Sequence, residues 1–448
     1  MKLKKSTAFF ISLSLLTALF SGCGNTKVDQ PAAGSEIKSE NTQASTSTPE
    51  KKEKEKIKFA CWDITTNAKE FKDLADAFNN ESTSVEVELV DIASKDYMDK
   101  TAIMLAAGEE LDGIAIKELP QYSNLLMKKQ IAPLDDYINK DTFDMKPYGA
   151  NADVLKADGQ TMALPYRSDF WILYYNKDIF DKAKLPYPGD DMTWEQFRET
   201  AKKLSSGEGN NKVWGTYFHT WENTIADIST ATRKGTLIDG NFDYLKPAYE
   251  LALGMQQDDK SAMTFAAAKT SNAHYKAMFE SGKVAMHVMG TWHIGQLIAD
   301  KKAGITNINW GIAKAPHFAE NQPGTTVGNL TPVAMVSSSQ KGGSVWEFLK
   351  FMAGEKGAVM LGQRGLMPGY INQAVLDAVA NVEGFPKDNK AALETADVVQ
   401  QLLPHKNAAQ MKKILGEYNE LILTKSKSID EGLKELNERT KELAADNK

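Results

Sequence analysis

From residue 57 onward, apolar runs of strand length alternate with repeats of helical period, and that alternation limits the folds open to the chain. Residues 57–62 (IKFACW) form a short apolar run, and 69–79 follow with Phe71, Leu74, Ala75 and Phe78 on one helical face. Residues 85–90 (VEVELV) alternate strictly. Residues 97–107 read as a helix with Met98, Ala102, Leu105 and Ala106 inward, and 112–116 as a short strand. This β-α-β-α-β order predicts a parallel sheet covered by helices, an α/β architecture. Such sheets hold ligands at the carboxyl ends of their strands, where Trp62-Asp63 and Lys117-Glu118 fall. Further on, 162–165 and 171–175 are strand-like, and Thr193 with Gln196 fits a capping box that opens a helix ending near Leu204. Residues 345–352 and almost everything after Lys412 read as helix.

The start of the chain is an address. Lys2, Lys4 and Lys5 precede the apolar stretch 8–20 (AFFISLSLLTALF), which is short for a bilayer span, and small Ser21 and Gly22 follow. Residues 1–22 are therefore expected to be a signal peptide. Leu19-Phe20-Ser21-Gly22-Cys23 resembles the lipobox of bacterial lipoproteins, with Phe20 where Leu is more usual. The resemblance implies that Cys23 is acylated and becomes the N-terminus. Residues 23–56 lack aromatics and are rich in Ser, Thr, Ala, Glu and Lys, a composition too polar to offset its ordering entropy. They are expected to be a disordered, lipid-anchored linker reaching about 30 Å on average. The body would then sit at the extracytoplasmic face of a bacterial cell membrane.

Composition removes whole classes of function. A chain of 448 residues has room for two or three cores, and 53 Lys+Arg against 59 Asp+Glu argues against a nucleic-acid partner. Two cysteines support neither a disulfide framework nor a four-thiolate zinc site, and Cys61 reads as a buried, inert thiol. His219, His274, His287, His293, His317 and His405 show no metal-ligand spacing. No Gly-x-Ser-x-Gly elbow or phosphate loop is present. Acid pairs such as Glu109-Glu110 and Asp258-Asp259 sit in polar contexts, and none stands out as a glycosidase pair. No catalytic residue, metal or cofactor is expected.

Several phrases carry a resemblance. Leu164-Pro165-Tyr166, then Trp171 through Phe180 (WILYYNKDIF), Thr193 through Phe197 (TWEQF), Phe279 through Met286 (FESGKVAM) with Gly290-Thr291-Trp292, and Trp346 through Met352 (WEFLKFM) stand in order along the chain. Together they resemble extracellular solute-binding protein family 1, the carbohydrate-binding lipoproteins of ABC importers. The resemblance implies a two-lobe, periplasmic-binding-protein-like (type II) α/β fold with hinge crossovers and a sugar-holding cleft between lobes. Crossings are implied near 163–170 and 325–332, giving an N-terminal lobe of 57–165 and 329–370 and a C-terminal lobe of 166–328 and 371–448. It also implies a monomer, with a carbohydrate ligand and ABC permease transmembrane subunits as partners, and no enzymatic step.

A pyranose has apolar C–H faces and a ring of hydroxyls, so its site needs aromatic rings flanked by short polar groups. Nine residues fit. Trp62 and Asp63 end the first strand, although Trp62 equally suits the core and Asp63 a turn cap. Arg167, Asp169 and Trp171 lie at the first crossing, where Arg167 and Asp169 also suit a mutual ion pair. Trp221 lies in the aromatic run WGTYFHTWEN, where Tyr217 and His219 rank below it, and Trp292 matches the family position whose Trp commonly stacks on sugar. Asn329 and Arg364 complete the set. Other readings remain open: a peptide, polyamine or metal chelate as ligand, a secreted glycan-active enzyme, or a signalling or adhesion lipoprotein.

Overall fold

The computed structural model describes residues 53–394 and 397–445; the expected signal peptide, Cys23 and the linker up to residue 52 lie outside the described residues. Eleven strands are present among them: β1 (Glu55–Trp62), β2 (Val85–Ile92), β3 (Gly113–Ala115), β4 (Lys156–Ala157), β5 (Gln160–Thr161), β6 (Leu164–Asn176), β7 (Trp214–Thr216), β8 (Val284–Gly290), β9 (Trp310–Lys314), β10 (Thr325–Met335) and β11 (Asp397–Gln400). Nine of them form one sheet in the order β2-β1-β3-β10-β6-β8-β7, with β11 on β10 and β9 on β6; β4 and β5 make a separate small hairpin. No helix among the described residues is long and apolar enough to cross a membrane.

The parallel β1–β2 and β1–β3 pairs with intervening helices give the architecture expected of a β-α-β-α-β order. β1 begins earlier than expected. Glu55 and Lys56, assigned to the linker by their polarity, pair with Val85 and Glu86, because a ladder uses backbone groups while the charged side chains stay in water.

The helix Tyr97–Ala107 turns a different face inward than its aliphatic pattern suggests. Tyr97 and Thr101 are buried, whereas Met98 is 37% and Ile103 65% exposed. Tyr97 decides the orientation: its ring packs on Trp62 and its hydroxyl lies 3.0 Å from the carbonyl of Ala60 and 2.5 Å from that of Ala115. A large ring with a satisfied hydroxyl outweighs small aliphatics. By contrast the capping box at Thr193 forms as its spacing predicts, with Thr193 Oγ1 accepting from the Gln196 amide and the Gln196 side chain accepting from the Thr193 amide.

Strands β6 and β10 organise the molecule. The two short strands read from 162–165 and 171–175 are one, β6, whose polar middle also pairs. Its first half runs antiparallel to β10, and its second half lies between β8 and β9. One apolar cluster draws on residues 57–166 and 330–366, including Tyr166 and Leu366. Two others draw on 170–327 and 367–436, starting at Phe170 and Met367. The two lobes therefore meet where β6 and β10 pass from one set of clusters to the other.

Candidate functional site: the tryptophan cluster and the crossing strands

Three of the sequence candidates converge. Trp171 comes from β6, Trp221 from the loop after β7, and Trp292 from the first position of the helix Trp292–Lys302. Ring centroids are 5.6 Å apart for Trp171 and Trp292, 6.1 Å for Trp221 and Trp292, and 6.4 Å for Trp171 and Trp221. The planes are steeply inclined, so the cluster is edge-to-face, an arrangement aromatic quadrupoles favour. Trp171 is buried; Trp221 and Trp292 are half-buried. Trp292 packs against apolar clusters of both lobes.

Local sequence explains the convergence. Trp171 stands opposite Gly290 in the β6–β8 pair, and the chain turns into the helix through Thr291. Trp292 Nε1 donates to Tyr275 Oη at 3.1 Å, and that hydroxyl in turn donates to Gln296 Oε1 at 2.9 Å. Tyr275 also meets Trp221, at 5.6 Å between centroids. Tyr275 and Gln296 escaped the sequence reading, since nothing in HYKAMFE separates a site tyrosine from a packing one.

A second constellation occupies the crossing itself. Arg167 donates to Glu70 Oε1 at 3.0 Å and to Asp169 Oδ2 at 2.7 Å. Asp169 Oδ1 accepts from Thr291 Oγ1 at 2.8 Å, one residue before Trp292. The three charged side chains are nearly closed to solvent. Burial raises the Glu70 pKa, and the Arg167 charge opposes that rise. For Arg167 burial works against the charge, but the carboxylates of Asp169 and Glu70 more than offset it and hold the guanidinium protonated. Arg167 and Asp169 are thus paired with each other, and Glu70, on a helix of the other lobe, is the partner the sequence did not reveal.

The remaining candidates are placed differently. Trp62 is in the first lobe's core, edge-on to Phe71 and Tyr97 at 5.0 Å each. Asp63 holds a left-handed backbone (φ 50°) in the turn after β1, where its carboxylate accepts from Asn67 Nδ2 at 3.4 Å, and it also accepts from the Ser94 amide in the turn after β2 at 2.9 Å. Asn329 is half-buried and opposite Asp169 in the β6–β10 pair. Arg364 is exposed and pairs with Asp73, one turn along the helix from Glu70. Tyr217 and His219 are buried in the second lobe, and His219 backs the cluster itself, its ring 4.5 Å from Trp221 and 5.3 Å from Tyr275. Lys412 forms a further bridge, reaching Glu118 at 2.5 Å and Glu222 at 3.0 Å. Among the described residues no group of three His, Cys, Asp or Glu could hold a metal ion.

Comparison with known proteins agrees with this geometry. The model of the bacterial extracellular solute-binding protein family matches residues 62–359. The sn-glycerol-3-phosphate-binding periplasmic protein UgpB of Brucella melitensis is 30% identical over 310 residues, covering 64% of this chain and 69% of its own. A sugar transporter from Rhizobium etli, solved in an open conformation, is 40% identical with a TM-score of 0.77, covering 86% of this chain and 99% of its own. An ABC substrate-binding protein from Listeria monocytogenes in complex with cycloalternan shares the fold at 21% identity, with a TM-score of 0.74 over 87% of this chain and 99% of its own. The fold of two lobes joined by shared strands is what this likeness spans, and the chain belongs to the bacterial extracellular solute-binding protein family.

Proposed function

We propose that the protein captures a neutral sugar or oligosaccharide between its lobes, against Trp171, Trp221 and Trp292, and delivers it unchanged to an ABC permease. The observation that carries the reading is the convergence of three indoles from separate segments, two of them half-buried, beside the strands that pass between lobes. Indole faces cover the C–H faces of a pyranose, while half-buried Asn329 at the crossing offers a hydroxyl partner. The lobes are taken as 57–165 with 329–370, and 166–328 with 371–448. The chain acts as a monomer and as a binding protein, not as an enzyme.

The likeness to glycerol-phosphate binders makes a phosphorylated ligand the competing reading. A phosphate calls for positive charge that is not already neutralised. Arg167 and Lys412 each face two carboxylates, which favours a neutral ligand. We further propose that Cys23 carries the lipid anchor and that 23–56 tether the body to the extracytoplasmic face of the membrane; mass spectrometry of the mature N-terminus tests this, and an unacylated Cys23 refutes it.

Calorimetric titration with maltose, maltotriose and D-mannitol beside sn-glycerol-3-phosphate tests the ligand class. The expected result is saturable binding of a neutral probe, recovered intact by chromatography. Turnover of the probe, or preference for the phosphate ester, overturns the reading.

A further inference from the structure

Behind Trp171, inside the second lobe, lies a small cavity of about 30 Å3, or about 430 Å3 of empty space with its open mouth included. Its walls include Trp171, Trp194, Phe218 and Pro316, and four polar residues, Thr224, Asp227, Thr325 and Thr326. Three polar atoms on these residues are buried and lack a hydrogen-bond partner: Trp171 Nε1, Thr224 Oγ1 and Asp227 Oδ1. Trp171, Thr224 and Asp227 are 5%, 7% and 5% exposed. Leaving such groups unpaired is costly, and native structures rarely do so without a reason.

The bonding around Asp227 is one-sided. Its Oδ2 accepts from Asn223 Nδ2 at 2.9 Å and from Gln401 Nε2, while Oδ1 has no partner. Burial raises the Asp227 pKa, so a neutral carboxyl is favoured there. The three atoms differ in kind. An indole N–H only donates, a hydroxyl does both, and a carboxyl oxygen accepts or, protonated, donates. An ammonium has no lone pair for the indole N–H. A hydroxyl, which donates and accepts at once, can serve each of the three.

We propose that this cavity is a subsite for a neutral, hydroxyl-bearing end of the ligand, entered from the tryptophan cluster through their shared residue Trp171. The inference rests on the sugar reading above and adds to it the residues that select the end group. Aromatic walls receive C–H surface, and Thr224, Asp227 and Trp171 Nε1 receive hydroxyls.

The test uses the full chain without its signal peptide. Wild type, Thr224→Val and Asp227→Asn are titrated with maltose, maltotriose, D-mannitol, sn-glycerol-3-phosphate and spermidine, and melting of each unliganded protein is recorded. The inference expects a neutral probe to bind best and each variant to lose about tenfold affinity for it, the weight of one hydrogen bond, with melting little changed. Thr224→Val, close to isosteric, keeps the test open if Asp227→Asn folds poorly. A co-crystal with the best neutral probe should place its hydroxyls against Thr224 and Asp227. Wild-type affinity in both variants, or ordered water alone in the cavity beside a bound probe, overturns the inference and leaves the tryptophan reading standing. Spermidine or sn-glycerol-3-phosphate as the best probe, or no binding of any neutral probe, overturns both.

Discussion

Gly290 stands opposite Trp171 in the sheet, and a Cβ placed on it would come within 1.9 Å of the Trp292 ring. The indole therefore lies directly on bare backbone, and its position depends on the missing methyl. Gly290→Ala should push the Trp292 ring off its seat and lower sugar affinity at least as much as Trp292→Ala, which removes the ring's contact area and should cost about tenfold or more. Calorimetry with the best neutral probe checks both; full affinity in Gly290→Ala would show that the ring tolerates displacement. Trp171 and Trp221 were candidates because polar residues stand near them in sequence, and Trp292 because it matches a family position; that the three rings meet is set by the fold. Trp62 carried the same local signal, yet it closes a core, since Phe71 and Tyr97 reach it only after folding. Glu70 gave no signal at all: its role depends on Arg167, 97 positions away.

At the scale of elements, the β6–β10 pair is where the lobes are joined. Pro165 and Pro332 face each other across it, and the register shifts between Thr331 and Pro332. Neither proline has an N–H to give, so the ladder is weakest there. The Glu70–Arg167–Asp169 constellation lies beside that gap. Removing one member leaves buried charge uncompensated, so Arg167→Met should destabilise the fold by about 3–5 kcal/mol at neutral pH. The variant should recover part of this as pH falls, because Glu70 already has a raised pKa and takes up a proton to relieve its burial. Chemical denaturation at pH 7 and pH 5 measures both effects, and a loss under 1 kcal/mol at pH 7 rejects the constellation as a structural tie. Both crossings were implied by the family resemblance, not by any local period. β11, parallel to β10, was not: DVVQ is too short to show a period, and its pairing with 325–328 is set by tertiary structure.

Across the whole molecule, buried imidazoles give stability an acid limit. Burial, with a smaller push from His274, lowers the His219 pKa to about 4. Burial lowers His293 to about 3, against the opposing bond to Gln296. In the unfolded chain both return to about 6.5. Below that pH the unfolded state binds protons that the folded state refuses, so each contribution is complete above pH 6.5 and is lost as pH falls toward 4 and 3. Glu280 acts in the opposite sense: burial and Asp300 push it up to about 8, so its contribution is present below the ordinary carboxylate range and is lost as pH rises toward 8. A variant comparison separates the two. His293→Phe, set among Tyr174, Tyr275 and Phe279, should weaken the acid sensitivity of folding between pH 6.5 and 4 by about 1.4 kcal/mol per pH unit. Identical slopes for the two proteins would refute the assignment.

The seating of Trp292 against apolar surface from both lobes, with two more indoles beside it, has a practical corollary. Excitation absorbed by any of these rings is shared among neighbours a few ångströms off, so emission from the trio reports one common environment. When cargo displaces solvent at that spot, the wavelength and yield of the emitted light should change together, giving the molecule an intrinsic optical gauge of its own occupancy without any added dye.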